Sequence, residues 1–209
     1  RLWGAGKVIT SLKNLRKAYT PDLQVRGTGI NNLLYCHKTD ADVDYYYIVN
    51  KDNTSAVNFE AAFDLAGRRP EIWDLESGRT VEQMMYVNDG SSTVVPMTLQ
   101  PRQGVFVVLR KGGDSRDHIF RLSYIGGDVR FPNATGDFSR PYPQAFKGED
   151  GRIHLRSLSS GSYVTGYSNV LSSRVDIAPP QRVLIDGTVG TMTFDDEPML
   201  GTMPIGGFR

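Results

Sequence analysis

The stretch RRPEIWDLESGRT, residues 68–80, sets the fold prediction for this chain. Pro70 has a fixed φ and no N–H to donate, so it suits the first residue of a strand or a strand at a sheet edge. Ser77-Gly78 is a turn signal, and extended sequence resumes after it. The stretch therefore predicts a strand, a tight turn and a second strand. Trp73, one of two tryptophans, is expected to fill the space between two sheets.

Alternating apolar and polar residues surround this stretch, as they do in half-buried strands. Seven short strands within about 80 residues are typical of a β-sandwich. The 22 glycines and 11 prolines also fit a turn-rich all-β chain. We therefore predict immunoglobulin-like β-sandwich modules in tandem, with a short α/β remnant at the N-terminus. The seven strands are predicted at 33–37, 43–50, 57–65, 71–75, 79–87, 93–99 and 104–110.

Composition shifts suggest four parts. A strand followed by a helical pattern comes first, and Pro21 stops that pattern. A Gly-rich linker follows the first sandwich, and Pro179-Pro180 marks a later boundary. The predicted parts are the tail of an α/β domain at 1–28, a β-sandwich at 29–111, a small β-rich domain at 116–178 and the truncated start of a further β domain at 179–209.

Charge and length exclude several classes of function. Lysine plus arginine number 24 and aspartate plus glutamate 23, which gives no electrostatic reason to expect nucleic acid or an anionic membrane as partner. No run reaches the roughly 18 apolar residues that a membrane span needs. Cys36 is the sole cysteine, so no intrachain disulfide can form. The chain begins at Arg1 without a methionine or signal peptide, and we expect a piece of a longer protein.

Three alternating aspartates, Asp40, Asp42 and Asp44, raise the question of calcium. An EF-hand loop needs glycine at its sixth position and glutamate at its twelfth, where this chain has Tyr45 and Lys51. We interpret the aspartates as a polar strand entry and assign no metal ligand.

The histidines give no catalytic pattern. Cys36 and His37 are neighbours in a predicted strand, so their side chains point to opposite faces. We expect a packed thiol beside a surface histidine. His118 and His154 have no acidic partner nearby in sequence, and pairing across the fold stays open.

Two further motifs are weak. Asp195-Asp196-Glu197 offers the paired carboxylates that glycosidases use at separations of about 5–10 Å, yet its place before Pro198 favours a solvated turn. Gly27-Thr28-Gly29 is similar to a dinucleotide loop, but Asn32 stands where the third glycine would be. We assign no catalytic or cofactor-binding residue.

Five aromatic residues are candidates for stacking on sugar rings. Alternation sends one member of the tyrosine triplet to the face opposite the other two, and we interpret Trp73 as a core residue. Whether any aromatic binds carbohydrate stays open. The candidates are Tyr45, Tyr46, Tyr47, Trp73 and Tyr86.

The order of these motifs resembles a known family. TDADVDYYYIVN, PEIWDLESG and the closing VFVV strand are similar to the sandwich behind the catalytic barrel of α-L-rhamnosidase-like glycoside hydrolases of the family 106 type. The opening GAGKVITSLKNLRKAYTPDL is similar to the strand and helix that close the preceding domain there. The resemblance covers residues 6–111.

The resemblance implies a supporting role. In the family the catalytic carboxylates and a calcium site lie in the upstream barrel, and no position here matches them. It implies a non-catalytic region of a secreted hydrolase that degrades plant or microbial polysaccharide, with the catalytic domain of the same polypeptide as partner. A carbohydrate-binding module or an extracellular scaffold or adhesion module is the alternative.

The last part is similar to the entry of a galactose-binding-like domain in some fungal relatives. That entry usually carries a tryptophan in its first strand, where this chain has Val189 and Gly190.

Overall fold

The computed structural model describes residues 19–111, 118–124 and 130–147, and then the backbone of six strands between residues 153 and 205. Strands dominate these residues, and no α-helix occurs among them. No helix within this described part is long and apolar enough to cross a membrane. Residues 1–18, on which the predicted α/β remnant rests, lie outside the described residues.

Nine strands and one 3-10 helix, Ile30–Asn32, make up the first module. Six of the seven predicted strands appear with shifts of a few residues at their ends. The predicted 79–87 strand is split into β6 and β7, and β1 was missed. The strands are β1 (Leu23–Thr28), β2 (Leu33–Asp40), β3 (Val43–Asn50), β4 (Val57–Phe63), β5 (Arg69–Asp74), β6 (Thr80–Glu82), β7 (Val87–Asn88), β8 (Thr93–Leu99) and β9 (Gly104–Arg110).

These strands form two antiparallel sheets. Sheet A has the order β1-β4-β8-β7, and sheet B has the order β2-β3-β9-β5-β6. The prediction of an all-β sandwich is confirmed. The last strand of the module, β9, lies at the centre of sheet B between β3 and β5.

The core lies between the two sheets. Alternation in β4 turns Phe59 and Phe63 inward, and both are fully buried. Tyr46 and Ile48 on β3 meet them from sheet B, and the Tyr46 and Phe63 rings pack edge to face with centroids 4.7 Å apart. Each large apolar side chain that is fully buried contributes about 1.5–3 kcal/mol to folding, so this cluster is the main source of stability.

Gly27 permits the close pairing of β1 and β4. It lies opposite Phe59, and a Cβ at this position would come within 2.3 Å of the Asn58 carbonyl oxygen. Only glycine fits such an approach of two backbones. Gly29 has a φ of 75° before the 3-10 helix. The Gly27-Thr28-Gly29 motif therefore serves strand pairing and a turn.

A segment without regular structure, residues 132–142, covers the outer face of sheet A. Glu60, only 1% exposed, accepts hydrogen bonds from the backbone N–H of Asn133 at 2.6 Å and the hydroxyl of Tyr142 at 3.2 Å. Its other carboxylate oxygen accepts from Arg26 at 2.6 Å. The Thr98 hydroxyl accepts from the Tyr142 backbone N–H. Buried polar groups need such partners, which fixes the segment on the sheet.

The later strands form two further sheets, with the orders β11-β10-β14-β15 and β12-β13-β18-β16-β17. The pair β16 and β18 is parallel, and β18 is antiparallel to β13. Strands on both sides of the predicted boundary near residue 179 thus share one sheet. The strands are β10 (Ile119–Tyr124), β11 (Arg130–Phe131), β12 (Gln144–Lys147), β13 (Ile153–Arg156), β14 (Gly161–Tyr167), β15 (Val170–Ile177), β16 (Arg182–Asp186), β17 (Thr191–Asp195) and β18 (Thr202–Ile205).

Candidate interaction face

The outer face of sheet B carries large aromatic side chains. Strict alternation in β3 buries Tyr46 and turns Tyr45 and Tyr47 outward, where both are half-buried. Register pairing places Tyr47 and Trp73 on either side of Phe106. We call this surface the aromatic face and define it by Tyr45, Tyr47, Trp73, Phe106 and Val108.

The prediction that Trp73 fills the space between the sheets is wrong. Only one of the neighbours Ile72 and Trp73 can point inward from β5, because successive strand residues alternate. Ile72 takes the inner position and packs against the core cluster. Trp73 lies on the outer face and is half-buried there. The register of β5 against β9 pairs Trp73 with outward-facing Phe106, which places the indole on the outer side of sheet B.

Glu71 fixes the geometry of the aromatic face. Its carboxylate accepts a hydrogen bond from the Trp73 indole N–H at 3.1 Å. It also accepts from Nε of Arg110 at 2.6 Å and from Nη2 of Arg110 at 3.3 Å. Burial works to raise the pKa of Glu71, but the hydrogen bonds from Arg110 and Trp73 and the nearby positive charges outweigh it and hold the pKa below its usual value. The carboxylate is therefore charged at neutral pH.

The rings on this face do not lie in one plane. Tyr45 and Trp73 meet edge to face, with centroids 6.0 Å apart and planes at 72°. Tyr47 and Phe106 are 5.3 Å apart with planes at 45°. This arrangement packs apolar surface well but offers no flat stack for a row of sugar rings. Of the other candidate aromatics, Tyr46 and Tyr86 are buried in the core.

Strand β2 extends the face with exposed residues at the sheet edge. Leu34 is 54% exposed, and Cys36, in register with Tyr47, is also exposed. The prediction that Cys36 and His37 point to opposite faces is confirmed. The predicted environments, a packed thiol beside a surface histidine, are wrong. The thiol is exposed and the histidine is packed, because the odd-numbered residues of β2 face the inside of the sandwich.

His37 belongs to a polar cluster that closes one side of the sandwich. Its Nδ1 pairs with Asp22, which precedes β1, and its Nε2 pairs with Asp44 of β3 at 3.0 Å. The imidazole stacks on the Tyr46 ring with centroids 4.0 Å apart and planes 9° apart. Arg68 Nη2 lies 3.4 Å from the second oxygen of Asp44. Asp22 is 15 residues from His37 in the sequence, and Asp44 lies in the neighbouring strand β3. No local sequence pattern therefore indicated either acidic partner.

The three alternating aspartates do not converge on a metal. Asp40 accepts from the backbone N–H of Ala41, and exposed Asp42 lies 3.9 Å from Lys111. Asp44 turns inward to His37 instead. Across the part of the chain that the structure describes, no group of three or more potential metal ligands occurs.

The remaining candidates are dispersed. His118 is buried and stacks on Tyr86 with centroids 4.2 Å apart. His154 lies in β13, and Asp195 ends β17, but their side chains lie outside the described residues, as do residues 196 and 197. Sequence reasoning missed Glu60. Its alternation with inward phenylalanines indicated an outer position, but nothing local indicated the segment that covers it.

The fold and the aromatic face define the class of protein region. It is an antiparallel β-sandwich in which residues 132–142 cover sheet A and sheet B carries an apolar outer face. The α-L-rhamnosidase family model matches residues 2–88. Residues 2–88 are therefore similar to a region of rhamnosidase-like glycoside hydrolases.

Two longer proteins are similar to this chain. A Formosa agariphila protein provisionally named a beta-glucuronidase is 25% identical over 122 residues, which is 56% of this chain and 10% of that protein. The structure of a rhamnosidase from Novosphingobium sp. PP1Y is 22% identical with a TM-score of 0.45, covering 70% of this chain and 17% of that one. The chain thus spans about a tenth of the first protein and about a sixth of the second.

Proposed function

We propose that this chain is a non-catalytic accessory β-sandwich region of a secreted, α-L-rhamnosidase-like glycoside hydrolase. It packs against the catalytic domain of the same polypeptide through the aromatic face and so supports that domain in polysaccharide degradation. Secretion and the substrate class follow from the resemblance to the family. The catalytic domain, with any calcium it holds, lies in another part of the polypeptide.

The aromatic face is the observation that carries this proposal. Large rings that remain partly exposed, with Val108 buried among them, are typical of surfaces that meet another protein domain. The exposed Leu34 adds apolar area at the edge. Interfaces between domains of one chain bury about 600–1,500 Å², which a five-stranded sheet can supply.

The acidic residues support a non-catalytic role. A glycosidase needs two carboxylates that face a cleft about 5–10 Å apart. Asp22 and Asp44 both pair with His37, whose ring lies between the two carboxylates. Glu60 is covered by residues 132–142, and Glu71 is held by Arg110.

A surface carbohydrate-binding module is the second candidate. It would use aromatic rings in one plane, as a flat sugar-stacking surface requires. The 72° angle between the ring planes of Tyr45 and Trp73 favours packing against protein instead. Quenching of Trp73 fluorescence by rhamnose-containing polysaccharide, lost in Trp73→Ala, would favour this second candidate.

Alkylation of Cys36 tests the proposal, because this exposed thiol borders the aromatic face. Its rate is measured by peptide mass spectrometry in this chain and in a longer polypeptide that includes the catalytic domain. We expect protection of about tenfold or more in the longer polypeptide, and its loss in Trp73→Ala. Ser91→Cys, in an exposed turn at the end of β7, is the matched control and should react equally in both. Equal rates at Cys36 would contradict the proposal.

A further inference from the structure

The gap between the two sheets is filled differently at the two edges of the sandwich. On the β1–β2 side, the His37 cluster fills the gap. On the other side, β7 pairs with β8 only at Val94 and Thr93, so the second half of β8 faces β6 across an opening. A cavity of about 260 Å³ lies there, and β12 forms one wall. This cavity is separate from the aromatic face, which lies on the outside of sheet B.

The cavity has apolar walls and a polar rim. Inward-facing side chains of sheets A and B supply the walls, together with a ring from β12: Ile72, Val81, Met97, Leu99, Val105 and Phe146. Carboxamides and two opposite charges also line the cavity: Gln83, Gln103, Gln144, Asp74 and Arg79.

Gln83 is the decisive residue. It is only 3% exposed and lines the cavity. Its backbone N–H donates to the Pro70 carbonyl at 2.9 Å, but its side-chain carboxamide makes no hydrogen bond to any residue that the structure describes. Among the described residues, the fully enclosed side-chain polar atoms without a partner are Arg68 Nη1 and Arg69 Nε, so the Gln83 carboxamide keeps access to the cavity that it lines. The carboxamide is therefore available to a bound ligand.

We propose that this cavity binds a single, small, neutral polyhydroxylated ring of the monosaccharide class. A sugar ring presents C–H groups on one face and hydroxyls around its edge, which matches apolar walls beside carboxamides. Carboxamides both donate and accept hydrogen bonds, as hydroxyls require. The volume lies below the roughly 300–1,000 Å³ of pockets for drug-sized ligands, so one ring fits and a chain of rings does not.

The rim charges favour a neutral ligand. Asp74 and Arg79 lie at the same opening with opposite charges. The Asp74 carboxylate also accepts from the backbone N–H groups of Glu76 at 2.9 Å and Ser77 at 3.2 Å, which holds it in place. Because both signs of charge lie at this opening, neither an acidic nor a basic sugar is favoured over a neutral one. The ring could be a free monosaccharide or the end of a saccharide chain, and both present the same chemistry to the cavity.

An NMR titration of the full 209-residue chain, in which amide chemical shifts report binding, tests this inference. Methyl α-L-rhamnoside, methyl β-D-glucoside and a disaccharide ending in the better of the two are the probes. We expect saturable shifts at Gln83, Val81 and Phe146. Binding of the disaccharide at the same residues indicates a chain end, and binding of the monosaccharide alone indicates a free sugar.

Variants give the sharper test. Gln83→Leu should weaken binding about five- to tenfold, as expected for one buried neutral hydrogen bond. Val81→Phe should abolish binding by filling the cavity from β6. Gln24→Leu, on exposed β1 at the far side, is the matched control and should bind normally. Absence of shifts with every probe would overturn the inference, as would shifts that persist in Val81→Phe. Tighter binding of D-glucuronic acid that is lost in Arg79→Gln would overturn the neutral class. These outcomes do not depend on docking of the aromatic face.

Discussion

The Arg110 guanidinium donates to the Glu71 carboxylate at 2.6 Å and thereby joins β9 to β5 on the aromatic face. The same carboxylate accepts from the Trp73 indole. A single charge therefore orients a cation and an aromatic ring on the surface proposed to meet the catalytic domain.

This pair predicts a pH dependence of stability. The folded-state pKa of Glu71 is lowered, so its contribution is present above the unfolded pKa of about 4.3 and is lost as pH falls through the folded value. We expect Glu71→Gln to lower the free energy of unfolding by about 0.5–1 kcal/mol at pH 7, since Arg110 is partly exposed. The difference should be smaller at pH 3 than at pH 7, because the carboxylate loses its charge as the pH falls through its lowered folded pKa. Urea unfolding at both pH values measures it, with exposed Glu76→Gln as control. A difference that is constant with pH would contradict the prediction.

Truncation of an aromatic residue in the core should lower the free energy of unfolding more than truncation of one on the aromatic face. Phe59→Ala removes a fully buried ring and should cost about 3–5 kcal/mol. Trp73→Ala removes a half-buried ring on the outer face and should cost about 1–2 kcal/mol. Chemical denaturation of the two variants gives the comparison. Equal costs would mean that Trp73 is a core residue after all.

Glu60 should be among the most sensitive polar positions. Glu60→Ala leaves the Asn133 N–H and the Tyr142 hydroxyl buried without an acceptor, at a cost of about 3 kcal/mol or more. Glu60→Gln keeps one acceptor oxygen and should cost about 1–2 kcal/mol. Hydrogen exchange of the Asn133 amide should accelerate in the alanine variant. Unchanged exchange there would show that residues 132–142 are held by other contacts.

The neighbours Cys36 and His37 should respond in opposite ways to substitution. His37→Ala removes the stack on Tyr46 and a partner of buried Asp44, and should cost about 2 kcal/mol. Cys36→Ala, on the exposed side of the same strand, should change stability by no more than about 0.5 kcal/mol. Thermal and urea unfolding measure both. A larger loss for Cys36→Ala would place the thiol in a packed site.

Sequence periodicity predicted most of the sandwich because alternation records which strand residues are buried. It did not determine which residues of a short strand face inward. In β5, either Ile72 or Trp73 could face inward, and the pairing of Trp73 with outward-facing Phe106 decides for Ile72. β1 escaped prediction because LQVRGT contains few apolar residues and a glycine that only close pairing explains.

The candidate sites depended on contacts between distant parts of the chain. Asp22 meets His37 across 15 residues, and Glu60 meets Asn133 across 73. No local pattern encodes such pairs. The same holds for the cavity, whose walls come from both sheets and from β12.

The central position of β9 has a consequence for the time course of folding. During synthesis, β3 and β5 emerge long before β9, the strand that joins them. Pairing between distant segments slows folding, since a long loop must close first. A nascent chain cut short of Gly104 should thus expose two unjoined halves of sheet B, and ribosome-bound chains should gain protease resistance only once Arg110 has left the exit tunnel.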